Sequence, residues 1–355
     1  MFTGRFFKAA YGLILILLIL FLAGQIPYIM NPLSTVISII LLPVLLGGFF
    51  YYLLRPIVRF FTARVNSKNL AILITGLLII IAAVVVIYFG GSIIYTELEK
   101  LINYFSLNYE VIRENISRII KLGNGHLDFL SDFNIQKRLL GFAQRMLEKF
   151  SNYNFMGAFS SLTNLGTIVV LIPFVVFYFL KDDHKIYYLL LSWFTEENKP
   201  QAKRMLREID EALATYIGTQ LIVAFILGSF MFVGYLLIGL PNSLALALII
   251  AITSLVPILG PALGILPALF VALTTNFLMI VKLFIVLAVA QYLEGNLVRP
   301  IVQGGKLNIH PLVVLFLIII SILLFGVLGA LFVVPIYVVV RIIIENKTAF
   351  YSNKQ

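Results

Sequence analysis

Two apolar runs in the C-terminal half are too long to cross a bilayer once, and each is interrupted. Leu244 to Thr275 is 32 residues and Leu312 to Val340 is 29. At ~1.5 Å per residue they would extend about 48 and 44 Å as continuous helices, against a hydrocarbon core of ~30 Å. The first run holds Pro257, Gly260, Pro261, Gly264 and Pro267, and the second holds Gly326, Gly329 and Pro335. Such breakers end helices, so each run reads as two half-helices joined at a turn, a re-entrant hairpin. The breakers are spaced differently in the two runs, so the internal repeat is weak. Paired interrupted segments are nonetheless the pattern that marks a transporter's midplane site. Half-helices that end inside the membrane leave backbone groups and dipole ends free to hold an ion or polar solute.

The rest of the chain reads as bilayer-embedded as well. It is 61% hydrophobic and 12% charged, with mean hydropathy +1.04, whereas soluble domains carry about 25% charge. This composition excludes a disordered chain, and the absence of cysteine excludes a disulfide scaffold and a thiolate-ligated metal centre. The net charge of +10 is topological rather than a nucleic-acid footprint, because the basic residues flank apolar runs. Six runs have the length of single spans: Phe6–Ala23, Leu33–Leu54, Leu70–Ile94, Leu162–Leu180, Thr215–Ile238 and Phe277–Leu293. Arg5 and Lys8 precede the first, which lacks an Ala-x-Ala-like cleavage site and reads as an uncleaved helix. Arg55, Arg59, Arg64 and Lys68 follow the second with no acidic residue among them, which places that loop in the cytoplasm.

The predicted fold class is an all-α polytopic membrane protein with about six full transmembrane helices, two interrupted or re-entrant hairpins and a small helical extramembrane insertion. Its domains are three N-terminal transmembrane helices in 1–96, an extracytoplasmic amphipathic helical domain in 97–160, and a fourth transmembrane helix with a cytoplasmic amphipathic helix in 161–214. A transport core in 215–343 contains the broken segments 244–275 and 312–340, and a cytoplasmic tail occupies 344–355. The insertion interleaves charged residues with Leu, Ile and Phe at three-and-four spacing. With both hairpins re-entrant, Arg299, Lys306, Arg341 and Lys347 all fall on the cytoplasmic side, as do both termini. Two ordinary spans would instead put Arg299 and Lys306 outside.

The motif richest in polar and breaking residues runs from Tyr292-Leu293-Glu294-Gly295-Asn296-Leu297-Val298-Arg299-Pro300 through Gly304 to His310-Pro311. It resembles the C-terminal signature of the bacterial autoinducer-2 exporter family: a glutamate, a proline six residues on, a glycine, a histidine-proline pair, then a glycine-glycine-proline tail. Glu294, Pro300, Gly304, His310, Pro311, Gly326, Gly329 and Pro335 stand in that order. The proline-glycine cluster from Pro257 to Pro267 and the aromatic run ending at Lys181-Asp182 are similar to family features too. Where the family usually has a glycine pair before the Gly326 position, this chain has Ser321 and Ile322. The resemblance implies secondary transport: export of a small signalling molecule in some members, cation–proton exchange in others. It also implies a homo-oligomer in the bacterial cytoplasmic membrane.

Glu294, Asn296, Arg299, Gln291, Ser321 and Gln220 are the candidate substrate or ion pathway. An ionisable group at a membrane boundary is costly unless used, which singles out Glu294; the plain alternative is an ion pair with Arg299. Pro257, Gly260, Pro261, Gly264, Pro267, Gly326, Gly329 and Pro335 are the candidate hairpin hinges. Pro300, Gly304, His310, Pro311 and Asp182 complete the signature. His310 before a proline at a helix start reads as structural, with proton transfer as its functional alternative. Lys282 inside a span reads as snorkelling. His126 and His184 are isolated, so neither a metal site nor a cofactor is expected. Lys306 is followed by Leu307, so no phosphate loop is formed and no nucleotide drives the protein. No H-E-x-x-H or catalytic pair is present, which argues against an enzyme. The expected partners are the lipid bilayer, a small-molecule or ion substrate and further copies of the chain, with no nucleic acid. A membrane assembly protein acting through the external domain is the reading from another class.

Overall fold

The computed structural model describes residues 27–65, 67–85, 166–303 and 309–352, with scattered positions in 11–22 and 96–115 and residue 141. The run Phe6–Ala23, most of the insertion after Glu97, and Gly304 lie wholly or largely outside the described residues. The described residues form helices and turns with no strand: an all-α membrane protein. By length and composition alone, four stretches among the described residues could cross a bilayer, Ile39–Val65, Glu196–Ile238, Phe277–Val302 and Pro311–Asn346, the last of which contains the reversal at Gly326 described below. Their outward faces carry exposed Leu, Ile, Val and Phe, the surface a lipid environment requires.

Three helices pack as an N-terminal group: α1 (Pro27–Val65), α2 (Lys68–Val85) and α3 (Gly166–Lys181). Tyr51, Val58, Ala71, Ile72, Val176 and Leu180 are buried together between them. The expected span Leu33–Leu54 is part of a longer helix, so Arg55, Arg59 and Arg64 ride on its last turns rather than in a loop. A short helix, α4 (Asp183–Ser192), follows.

Next comes α5, Lys199–Ile238, 40 residues in one piece and about 60 Å long. The cytoplasmic helix and the span expected on either side of residue 215 are therefore a single element. Pro200 sits in its first turn, where a missing N–H costs nothing, and no breaker strong enough to stop a helix lies between it and Gly239. Gly239, at φ 70°, ends it in the left-handed conformation.

The first interrupted run folds back on itself. Its limbs are α6 (Ser243–Thr253) and α7 (Leu259–Leu273), of 11 and 15 residues, roughly 16 and 22 Å, so neither spans a bilayer. The limbs touch at backbone distance. A Cβ on Gly260 would lie 2.7 Å from Ser254 Cα, and one on Gly264 would lie 2.7 Å from Ile250 Cα. The reversal is made by Ile258, at φ 63° and ψ −61°, with Leu259 N–H donating to the Pro257 carbonyl at 2.6 Å. That is the rare, strained γ-turn, carried by a β-branched residue.

The second run also reverses. Within the helix Pro311–Ser352, labelled α10, Gly326 takes φ 66° and ψ −154°, a conformation open essentially to glycine alone. A Cβ on Gly329 would lie 2.5 Å from the Ser321 carbonyl oxygen, although eight residues of straight helix would separate the two by about 12 Å. Limbs 311–325 and 327–352 thus lie side by side, with Val314, Ile318, Ala330 and Val334 buried together against Tyr216 and Ile217 of α5.

The hinge assignments need correction in part. Pro257 and Gly326 lie in the turns, and Pro261 is in the first turn of α7. Gly260, Gly264 and Gly329 admit close approach rather than bending. Pro267 and Pro335 sit inside helices, where each removes one backbone hydrogen bond without reversing the chain.

The two hairpins open toward opposite ends of α5. At the first hairpin's base, Thr274 Oγ1 shares a hydrogen bond with the Tyr104 hydroxyl. Asn115 Nδ2 donates to the Leu273 carbonyl at 2.7 Å, and the buried Leu101 belongs to the same core as Leu240, just beyond the end of α5. At the second hairpin's base, Asn346 Nδ2 donates to Glu208 Oε2 at 3.2 Å, near the start of α5. The same end holds Arg55 against Asp210 at 2.7 Å and Lys68 against Asp183 at 2.5 Å.

Candidate functional site

The apolar helix α8 (Phe277–Leu293) does not stop at the polar motif. It widens into a π turn over Glu294–Val298 and resumes as α9, Arg299–Gln303. The Arg299 N–H donates to the Glu294 carbonyl, a five-residue closure that sets residue 299 directly over residue 294. In an α-helix the two would sit about 140° apart. Arg299 Nη2 and Nε accordingly both reach Glu294 Oε1, at 2.6 and 3.0 Å.

Glu294 is only 5% exposed and lines a cavity of about 430 Å³. Tyr216, Thr219 and Gln220 of α5 form one wall, and Pro257, Ile258 and Pro261 at the tip of the first hairpin form another. Gln291, Gly295 and Arg299 flank Glu294, while Ile309, Pro311, Val314 and Val334 close the side of the second hairpin. Gln220 Nε2 donates to the Ser254 carbonyl at 2.5 Å, tying α5 to the hairpin tip.

Four buried polar atoms of this lining have no protein partner among the described residues: Glu294 Oε2, Gln291 Nε2, Tyr216 Oη and Thr219 Oγ1. Leaving a buried polar group unpaired costs about 1–3 kcal/mol. Their grouping around one cavity, with a donor, an acceptor and two hydroxyls, fits a polar solute, water or a cation.

Of the candidate pathway residues, the structure brings Glu294, Arg299, Gln291 and Gln220 together. Asn296 is exposed, its amide donating to the Tyr292 carbonyl at 3.0 Å. Ser321 is buried against Gly329, its hydroxyl donating to the Ile318 carbonyl at 2.9 Å, and it does not line the cavity. His310 caps α10: its carbonyl accepts from Val313 and Val314, and its Nδ1 accepts from Leu312 N–H at 3.3 Å. Pro300 is exposed in the first turn of α9. Asp182 precedes α4, and its hydrogen bond from Lys185, at 2.9 Å, holds its carboxyl below the usual range. Lys282 is exposed on α8. Among the described residues no group of three His, Cys, Asp or Glu could hold a metal.

Sequence reasoning missed Tyr216 and Thr219. Their signal was present: Tyr216, Thr219 and Gln220 stand at i, i+3 and i+4, a polar stripe on one face of an apolar helix.

The family model for AI-2E family transporters matches residues 10–349. A Bacillus subtilis (strain 168) protein named "Putative transport protein YueF" is 29% identical over 342 residues, covering 94% of this chain and 91% of that one. A second from the same strain, "Putative transport protein YrrI", is 28% identical over 340 residues, covering 93% and 92%. "Putative permease PerM" of Escherichia coli (strain K12) is 25% identical over 226 residues, covering 62% of this chain and 61% of its own. With its opposed hairpins, buried glutamate and match across nearly its whole length, the chain belongs to the AI-2E transporter family of membrane proteins.

Proposed function

We propose that the protein is a secondary transporter that moves a small polar solute or signalling molecule through the cavity at Glu294, in the direction of export. The observation that carries this reading is the geometry of the two hairpins. Both limbs of the first and the 311–325 limb of the second are too short to span, at no more than about 22 Å; the hairpins enter from opposite ends of α5, and the polar cavity lies between the tip of one and the limbs of the other. A site walled by elements that reach it from both sides suits alternating access. The end bearing Arg55, Arg59 and Lys68 is the cytoplasmic end in this proposal, with both termini beside it, and the membrane is the bacterial cytoplasmic one. Copies of the chain assemble as a homo-oligomer.

Energy comes from an ion gradient or from downhill flow. The free oxygen of Glu294 favours a second version, exchange of a cation against protons, because a buried carboxylate with an unused acceptor is a natural cation ligand. Purified protein in proteoliposomes, with proton and sodium gradients imposed separately, separates these. Solute flux that follows one gradient supports coupled transport. Ion movement without any organic solute supports the exchanger. Indifference to every gradient and solute would sink both and leave an assembly role for the external domain.

A further inference from the structure

The π turn at Glu294–Val298 is the one described departure from α geometry in a run of helix from Phe277 to Gln303, and the sequence contains a reason for it. Pro300 has no N–H to give, and in a continuous α-helix its ring would collide with the carbonyl four residues back, that of Asn296. Widening the preceding turn by one residue moves that carbonyl away.

The same widening creates the ion pair. Arg299 meets Glu294 because residue 299 closes onto residue 294 through the backbone as well as the side chain. Were the turn α-helical, the guanidinium would point about 140° away around the axis, and the buried Glu294 would face the cavity with both oxygens unpaired. Residue 300 contributes no backbone hydrogen bond in either register, which narrows the difference between them. π turns of this kind occur frequently at functional sites.

We propose that Pro300 is a positioning residue that holds Glu294–Val298 in the π register, so that Arg299 acts as a tethered counter-cation on Glu294, and that a shift to the α register uncovers the carboxylate to the cavity. The consequence for cargo rests on the transport reading above; the register itself does not.

Cross-linking reads the register directly, and the chain has no native cysteine to interfere. Across a π turn, residues i and i+5 lie roughly 6 Å apart at Cα, within disulfide range; across an α turn they lie about 8.6 Å apart, beyond the ~7 Å limit. The variants are Glu294→Cys/Arg299→Cys and, retaining the ion pair, Leu293→Cys/Val298→Cys, each made with Pro300 and with Pro300→Ala and oxidised as full-length protein in detergent. The expected result is ready disulfide formation with Pro300 and a fall of roughly five-fold or more in Pro300→Ala, where the Cα separation passes that limit. Equal yields in the two backgrounds, or no disulfide with Pro300 in either pair, overturn the proposal. The second pair serves if loss of the ion pair prevents folding of the first. Flux assays are scored separately, so Pro300-dependent cross-linking beside absent transport would sink only the transport reading.

Discussion

Gly329 packs directly onto the carbonyl of Ser321, eight residues earlier in the same helical run, and a Cβ there would stand 2.5 Å from that oxygen. Only a chain that has turned back on itself at Gly326 can make this contact. Gly329→Ala should therefore overpack the limbs against a rigid backbone atom, at a cost of roughly 1–3 kcal/mol. Thermal unfolding in detergent should show a lower Tm; an unchanged Tm would mean the limbs are not this close.

The first hairpin makes a prediction of opposite sign. Ile258 holds a positive φ of 63°, strain that costs of order 1–3 kcal/mol in a non-glycine residue. Ile258→Gly should hold or raise Tm, whereas Gly264→Ala, whose Cβ would meet Ile250 Cα at 2.7 Å, should lower it. If both variants fall equally, the tip is not strained as described.

These two turns show where the sequence was legible. Excess length and breakers marked both reversals, because a bilayer fixes how long a helix can be and proline and glycine are the residues that end one. Which breaker turns the chain was not legible: Ile258 does so between two prolines, while Pro267 and Pro335 continue in helices. Pattern shows where hydrogen bonding must stop, but the turning residue is chosen by how the limbs pack. The fusion of two expected segments into α5 has a similar cause. Polarity changes near residue 215, yet nothing in the backbone breaks there, so the helix runs on through the change. Glu294, Arg299, Gln291 and Gln220, which line one cavity, stand out in the sequence because polar groups are rare in apolar surroundings. Ser321, which satisfies that criterion too, is absorbed by its own helix backbone.

The Glu294–Arg299 pair predicts an asymmetry. Arg299→Gln leaves a buried carboxylate uncompensated and should cost more than Glu294→Gln, which leaves a guanidinium about one-third exposed. Removing one partner of a buried pair costs about 3–5 kcal/mol, and the partial exposure of Arg299 places the expected loss toward the lower end. The double variant should be no worse than Arg299→Gln alone. Equal losses for the two single variants would show that the pair is not buried asymmetrically.

Contact between the segment around Tyr104 and the first hairpin should be measurable. Tyr104→Phe and Thr274→Val each remove one side of the shared hydrogen bond, and a double-mutant cycle on Tm should return a coupling of about 1 kcal/mol. A coupling of zero would detach the segment around Tyr104 from the hairpin's base.

The central claim is that the cavity at Glu294 is a route for polar solutes, and sided thiol labelling tests it most directly. Single cysteines at Thr219 and Gln291, on two different helices of the lining, are exposed in sealed vesicles to a small membrane-impermeant thiol reagent, with Ser321→Cys as the buried position outside the cavity. Labelling at 219 and 291 with 321 inert is the expected result. Inertness of 219 and 291 from both faces of the membrane, alongside 321, would contradict a solute pathway at this site.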